Sequence, residues 1–230
     1  MAIKLTNARD AAALHGVKTL VYGRAGMGKT YLARTAPSPV VISAESGLLS
    51  LRDTAIPVIV IKTVADLQDA YKWATESSEA AGFETLYLDS ISEIAEVVLA
   101  SEKAINKDPR AAYGNLIDMM LITIKSFRDI SGKHVVMTAK QGSNTDQVSG
   151  TITYGPSLPG ARLANEIPYL FDLVMQIGVG KTPDAVEYRY LRTHPDIQSE
   201  AKDRSGVLDT LEPPDLTHVF NKILNTSKAA

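Results

Sequence analysis

The chain has 230 residues, 45% of them hydrophobic, with 24 Lys and Arg against 26 Asp and Glu, and a formal net charge of −2. That length suits a single α/β domain, residues 1–230, and is short for two; no run approaches the roughly 20 apolar residues of a membrane helix, and the lack of cysteine excludes disulfides and thiolate metal sites. The slight negative charge argues against a strongly basic nucleic-acid binder, leaving room only for a local patch or for a weak site repeated in an oligomer. The four histidines are scattered without ligand spacing, and Met1–Thr6 carries no secretory pattern, so an intracellular, cytoplasmic protein is expected.

The first element is the apolar run Val17–Tyr22, which leads into GRAGMGKT at Gly23–Thr30. This fits G-x-x-x-x-G-K-[ST] at every fixed position and is followed by a helical pattern through Arg34. A strand, a glycine turn and a helix in that order aim consecutive backbone N–H groups at one anion, so Gly23, Arg24, Ala25, Gly26, Met27, Gly28, Lys29 and Thr30 are the expected nucleotide-binding residues. Lys29 supplies a point charge for the β and γ phosphates, and the Thr30 hydroxyl is a hard oxygen ligand for Mg²⁺. ATP with Mg²⁺ is the expected cofactor pair.

Strands rich in β-branched residues recur at Pro39–Ser43, Val58–Ile61, Thr85–Leu88 and His134–Thr138, the signature of a mostly parallel sheet covered on both faces. Glu45 follows the second strand and would emerge at the carboxyl edge beside the phosphate loop, where it could orient an attacking water. Asp89 ends the fourth strand; it suits the water shell of Mg²⁺, and the alternative is a helix cap, a task Ser90 can perform. Helical stripes run through Val64, Leu67, Tyr71 and Ala74, from about Ile91 to Lys107, and from about Asn115 to Ile130, whose methionines read as core.

Gln141–Gly160 is rich in Gly, Ser, Thr and Asn and reads as a stretch without regular structure. The strand Leu170–Ile177 and extended segments at Ala185–Thr193 and Ile197–Lys202 suggest an antiparallel meander. Pro213-Pro214-Asp215 introduces a final helix over about 215–226.

Taken in order, GRAGMGKT, ISAESG with Glu45, YLDSISEI with Asp89, VVMTAKQ with Lys140 and Gln141, and FDLVMQIG resemble the successive elements of the RecA and DnaB ATPase core, over roughly residues 15–212. The compactness of the chain is closest to phage-encoded RecA-like proteins, a group that includes single-strand-annealing recombination proteins. The resemblance implies an ATPase that assembles head to tail, in a ring or filament, with Glu45, Lys29 and Gln141 as catalytic candidates. It also implies that Lys202 and Arg204 reach a neighbour's γ phosphate, whereas without it they would pass for a solvated strand face. Two DNA-facing loops are implied as well: Asn106–Asn115, with Lys107, Arg110 and Tyr113, and Gln141–Gly160, with Asn144 and Tyr154. Single-stranded DNA and a single-strand-binding protein are the implied partners. The competing expectations are a regulatory nucleotide switch and a small-molecule kinase.

Overall fold

Strand β1 (Lys18–Gly23) is buried at every position, as an apolar strand must be when both faces of a parallel sheet are covered. In the computed structural model, which describes Asn7 and residues 15–45 and 47–226, β1 lies at the centre of a ten-stranded sheet. The reading of Met1–Thr6 lies outside the described residues. On one side of β1, β5 (His134–Thr145), β4 (Thr85–Asp89), β2 (Pro39–Ser43) and β3 (Val58–Val60) follow in that spatial order, all parallel. On the other side β7 (Leu173–Lys181) is parallel to β1, and β8 (Glu187–Arg192) and β10 (Leu211–Glu212) add antiparallel strands. The expected mostly parallel sheet flanked by helices, with an antiparallel carboxy-terminal meander, is therefore present.

The α-helices that follow β1 among the described residues are α1 (Lys29–Leu32), α2 (Val64–Glu76), α3 (Ile91–Ile105), α4 (Pro109–Arg128), α5 (Ala161–Glu166) and α6 (Leu216–Thr226). Alternation along the strands divides the core in two. Leu20, Ile42, Leu86 and Met137 face α2 to α5, with Met120 of α4 in the same packing, while Val21, Val41, Tyr87 and Val136 face α1 and α6. Local chemistry starts each long helix: Thr63 and Asp66 form a capping box for α2, Ser90 caps α3, and Asp108 caps α4 with Pro109 in its first turn. Asp215 accepts from the His218 amide at 3.0 Å, and the Leu216 amide donates to Thr35 Oγ1 at 2.9 Å, so α6 is tied to the end of the phosphate-loop helix.

Three expectations are corrected. Gln141–Gly160 is a hairpin, with β5 extended to Thr145 and paired antiparallel to β6 (Ile152–Ser157). Its glycines are what made it read as a loop, yet Gly142 stands opposite Gly155, and a Cβ on Gly142 would meet Ser157 Cβ at 2.9 Å. The segment Asn106–Asn115 is helical from Pro109, because the Asp-Pro pair is a helix start. Only the end of Ile197–Lys202 is a strand, since β9 is Lys202–Asp203, paired with the start of β7.

His134 gives the fold a titration signature. Its Nδ1 accepts from the Val17 amide at 3.1 Å, its ring stacks on Phe220 at 4.3 Å, and burial, aided by the Lys18 charge, lowers its pKa from 6.5 to about 4. Between those values the unfolded chain binds the extra proton and the folded one does not, so the contribution is full above pH 6.5 and is lost as pH falls toward 4. Urea titrations should show His134→Gln losing less stability than the parent between pH 7 and 4.5, by up to about 3 kcal/mol. Equal losses would remove His134 as the source.

Candidate nucleotide site

Gly23 ends β1 at the carboxyl edge of the sheet, and a Cβ there would meet Ile177 Cγ2 at 2.5 Å, so glycine is required for the close approach of β7. Gly26 (φ 78°) and Gly28 (φ 98°) take the left-handed backbone that lets the loop fold back on itself. The helix after it is α-helical to Leu32 and tightens into a 3-10 turn over Ala33–Thr35. Lys29 Nζ lies inside the loop, donating to the carbonyls of Gly23 (2.8 Å) and Arg24 (3.1 Å). Tyr87 OH donates to the Lys29 carbonyl at 2.5 Å and pins the helix to β4.

Asp89 is fully buried at the end of β4, where it accepts from Thr30 Oγ1 at 2.6 Å and from Thr138 Oγ1 at 2.5 Å. Burial raises its pKa, opposed by those two hydroxyls and by Lys29. Lys29 is lowered by burial, opposed by the charges of Glu45 and Asp89. The donor set fits a Mg²⁺ that arrives with a phosphate: one hydroxyl, one carboxylate behind it, and no cluster of three or more metal-binding His, Asp or Glu among the described residues.

Glu45 faces the same cleft from the end of β2. Its amide donates to Ser43 Oγ at 3.1 Å, and its Oε1 accepts from Ser90 Oγ at 2.8 Å. The cleft has a volume of about 860 Å³, and its walls include Lys29, Thr30, Glu45, Glu93, Lys140 and Gln141. Glu93 pairs with Lys140, and Gln141 accepts from Gln176 Nε2 at 3.2 Å. Lys29 and Thr30 of the phosphate loop therefore come together with Asp89, Glu45 and Gln141, which three parallel strands, β4, β2 and β5, carry to the same edge.

Lys202 and Arg204 lie elsewhere. They sit at the amino edge, where β9 meets Leu173 and Val174, so this chain's own phosphate loop is out of their reach. Lys202 Nζ donates to the Pro168 carbonyl at 2.5 Å, and Arg204 pairs with Asp172 at 3.3 Å and donates to the Tyr169 carbonyl at 3.2 Å. Lys107 is in the α3–α4 link, and Arg110 and Tyr113 are on the first turns of α4; Lys103 Nζ stands 5.4 Å from the centre of the Tyr113 ring. Asn144 and Tyr154 lie on the β5–β6 hairpin. Sequence reasoning missed Thr138 and Arg189, the latter a β8 residue that lines the phosphate cleft. The expected meander was the available signal, since it returns a strand beside β7.

Solved structures similar to this chain include a KaiC-like protein of the hyperthermophilic archaeon Pyrococcus horikoshii (16% identity, 77% of each chain, TM-score 0.42). The flagellar accessory protein FlaH of Methanocaldococcus jannaschii is another (12% identity, 80% of each chain, TM-score 0.41). No curated protein matches. An AAA domain family model matches residues 15–205, and no helix among the described residues is long and apolar enough to cross a membrane. Because that match takes in the phosphate loop, Asp89 and every parallel strand of the sheet, the chain belongs to the AAA domain family of P-loop ATPases.

Proposed function

We propose that the chain hydrolyses ATP with Mg²⁺ and acts on single-stranded DNA in phage recombination or replication, as a head-to-tail assembly. The observation that carries the hydrolytic part is the meeting of Lys29, the Thr30–Asp89 pair and Glu45 in one cleft. The Thr30 hydroxyl, with Asp89 behind it, would hold Mg²⁺, which would supply charge neutralisation for the phosphates. Lys29 binds the same phosphates. The Ser90 hydroxyl holds one oxygen of Glu45, leaving the other to orient water and take its proton as the water oxygen bonds to the γ phosphorus and the bridging P–O bond breaks.

The DNA part is supported by what stands beyond the carboxyl edge. Helix α4 ends at the amino edge, where Lys18 Nζ donates to the Ile130 carbonyl, and its 20 residues span about 30 Å, more than the 6 residues of β1 or the 5 of β4 at about 3.3 Å each. Lys107, Arg110 and Tyr113 therefore project past the edge from which the β5–β6 hairpin also rises. Both projections carry few cations, so the proposed binding is weak per subunit and depends on assembly.

ATPase activity measured with and without single-stranded DNA, alongside mass in solution with and without nucleotide, tests the reading. DNA-stimulated turnover by an assembly supports it, whereas nucleotide binding without turnover would favour a switch. Single-strand binding is expected to be salt-sensitive and to strengthen with a non-hydrolysed ATP analogue. Tyr113→Ala should weaken it by roughly 1–3 kcal/mol through lost stacking. No binding at low salt by a confirmed assembly would remove the DNA role.

A further inference from the structure

Strand β1 ends at Gly23, while its neighbours β5 and β7 run on to Thr145 and Lys181, so nothing of β1 stands between them beyond that point. Gln176 Nε2 of β7 donates to Gln141 Oε1 of β5 at 3.2 Å across the opening. A cavity of about 730 Å³ lies there, with Arg24, Gln141, Tyr154, Gln176, Tyr190 and Arg192 among its walls. Arg24 and Gln141 also line the phosphate cleft, so the two cavities adjoin.

Tyr188, Tyr190 and Arg192 alternate along β8 and share one face of it, the face opposite to buried Leu191. They form a row: the two tyrosine ring centres are 6.1 Å apart, and the Arg192 guanidinium is 6.0 Å from the centre of the Tyr190 ring. Glycines in β7 make room for the rings. A Cβ on Gly178 would meet Tyr190 Cζ at 2.6 Å, and one on Gly180 would meet Tyr188 Cζ at 2.7 Å, so both rings lie against the β7 main chain. Arg192 pairs with Asp196 at 3.2 Å, yet its Nε is buried with no hydrogen-bond partner among the described residues. The facing wall is fixed from behind by main-chain bonds. The Tyr154 amide donates to the Gln198 carbonyl at 2.6 Å, and the Tyr154 carbonyl accepts from Tyr22 OH at 3.0 Å.

We propose that this cavity binds a nucleotide unit of a single strand, with the base against the rings of Tyr154 and Tyr190 and the phosphate met by Arg24 and Arg192. Two guanidinium groups against one carboxylate, Asp196, favour an anion. The two rings, with apolar surface from Met27, Ile177 and Val179, favour a flat base, and the amides of Gln141 and Gln176 carry both the donors and the acceptors that a base edge pairs with. This rests on the single-strand reading above and deepens it: the strand is held by its bases as well as its phosphates, at a place apart from Tyr113 and α4.

Fluorescence anisotropy of the full chain with Mg²⁺ and a non-hydrolysed ATP analogue, comparing labelled oligothymidylate with an abasic strand of equal length, tests the site, because the abasic strand keeps the phosphates and has no bases. The parent should prefer oligothymidylate by at least about fivefold, the lower end for one base–aromatic stack. Tyr190→Ala should reduce that preference, and Tyr190→Phe, which keeps the ring, should retain it. Tyr154→Ala should reduce it too, with little risk to the fold, since the bonds that fix Tyr154 are main-chain bonds. Equal binding of both strands by the parent, or an undiminished preference in Tyr154→Ala and Tyr190→Ala, would overturn the base site while leaving the single-strand reading in place. Binding of neither strand to the folded parent would overturn that reading and the base site with it.

Discussion

A mixture of two inactive variants, Lys29→Ala and Arg204→Ala, is expected to hydrolyse ATP. Lys29→Ala removes the charge that meets the β and γ phosphates, in a loop whose fold is set by Gly23, Gly26 and Gly28, so the protein should fold and fail to turn over. Arg204→Ala should bind nucleotide and lose turnover by about a thousandfold, the scale for a cation that stabilises transition-state charge. Within one subunit Arg204 sits at the amino edge, paired with Asp172, whereas the phosphate loop leaves the carboxyl edge. The expected loss of turnover therefore requires that Arg204 serve the site of a neighbouring subunit. A Lys29→Ala subunit keeps Arg204 and can lend it to an Arg204→Ala subunit, whose phosphate site is intact. Steady-state ATPase assays on mixtures shown to co-assemble decide the matter. No recovery would leave Arg189, already beside the cleft, as the arginine that serves the phosphates; full activity of Arg204→Ala alone would return Lys202 and Arg204 to a solvated strand.

Glu45→Gln is expected to bind ATP and hydrolyse it about a hundredfold more slowly, the lower range for loss of a positioned base. The substitution is sharp because the amide oxygen of Gln can still accept from Ser90 Oγ, so the side chain keeps its place and loses only its basicity. The variant should accumulate with ATP bound, which a single-turnover experiment detects as retained ligand. Turnover equal to the parent's would direct the search to Glu93, a further carboxylate that lines the cleft and is paired with Lys140.

The phosphate loop was legible from residues alone because its function is local: the glycines, Lys29 and Thr30 are consecutive, and their backbone geometry comes from neighbours in the chain. Asp89 and Glu45 were legible for a related reason. In a parallel sheet the end of each apolar strand marks the same edge, so a carboxylate just past a strand lands near the loop whichever strand it follows. The starts of α2, α3 and α6 were written in Thr63, Ser90 and Asp215, and that of α4 was equally written in Asp108-Pro109 but was read as a loop.

What only the tertiary structure decided depends on strand order and on pairing between distant segments. The β5–β6 hairpin is held by main-chain bonds that its Gly- and Ser-rich composition does not announce. Thr138 reaches Asp89 because β5 lies between β1 and β4, an order that no single segment encodes. Arg189 reaches the phosphate loop because β8 folds back antiparallel beside β7, and Lys202 and Arg204 are carried to the opposite edge because β9 pairs with the start of β7 rather than its end. Residue types and periodicity specify which face of a strand is buried, which is a local property. Which side chains converge is set by the packing of the whole sheet.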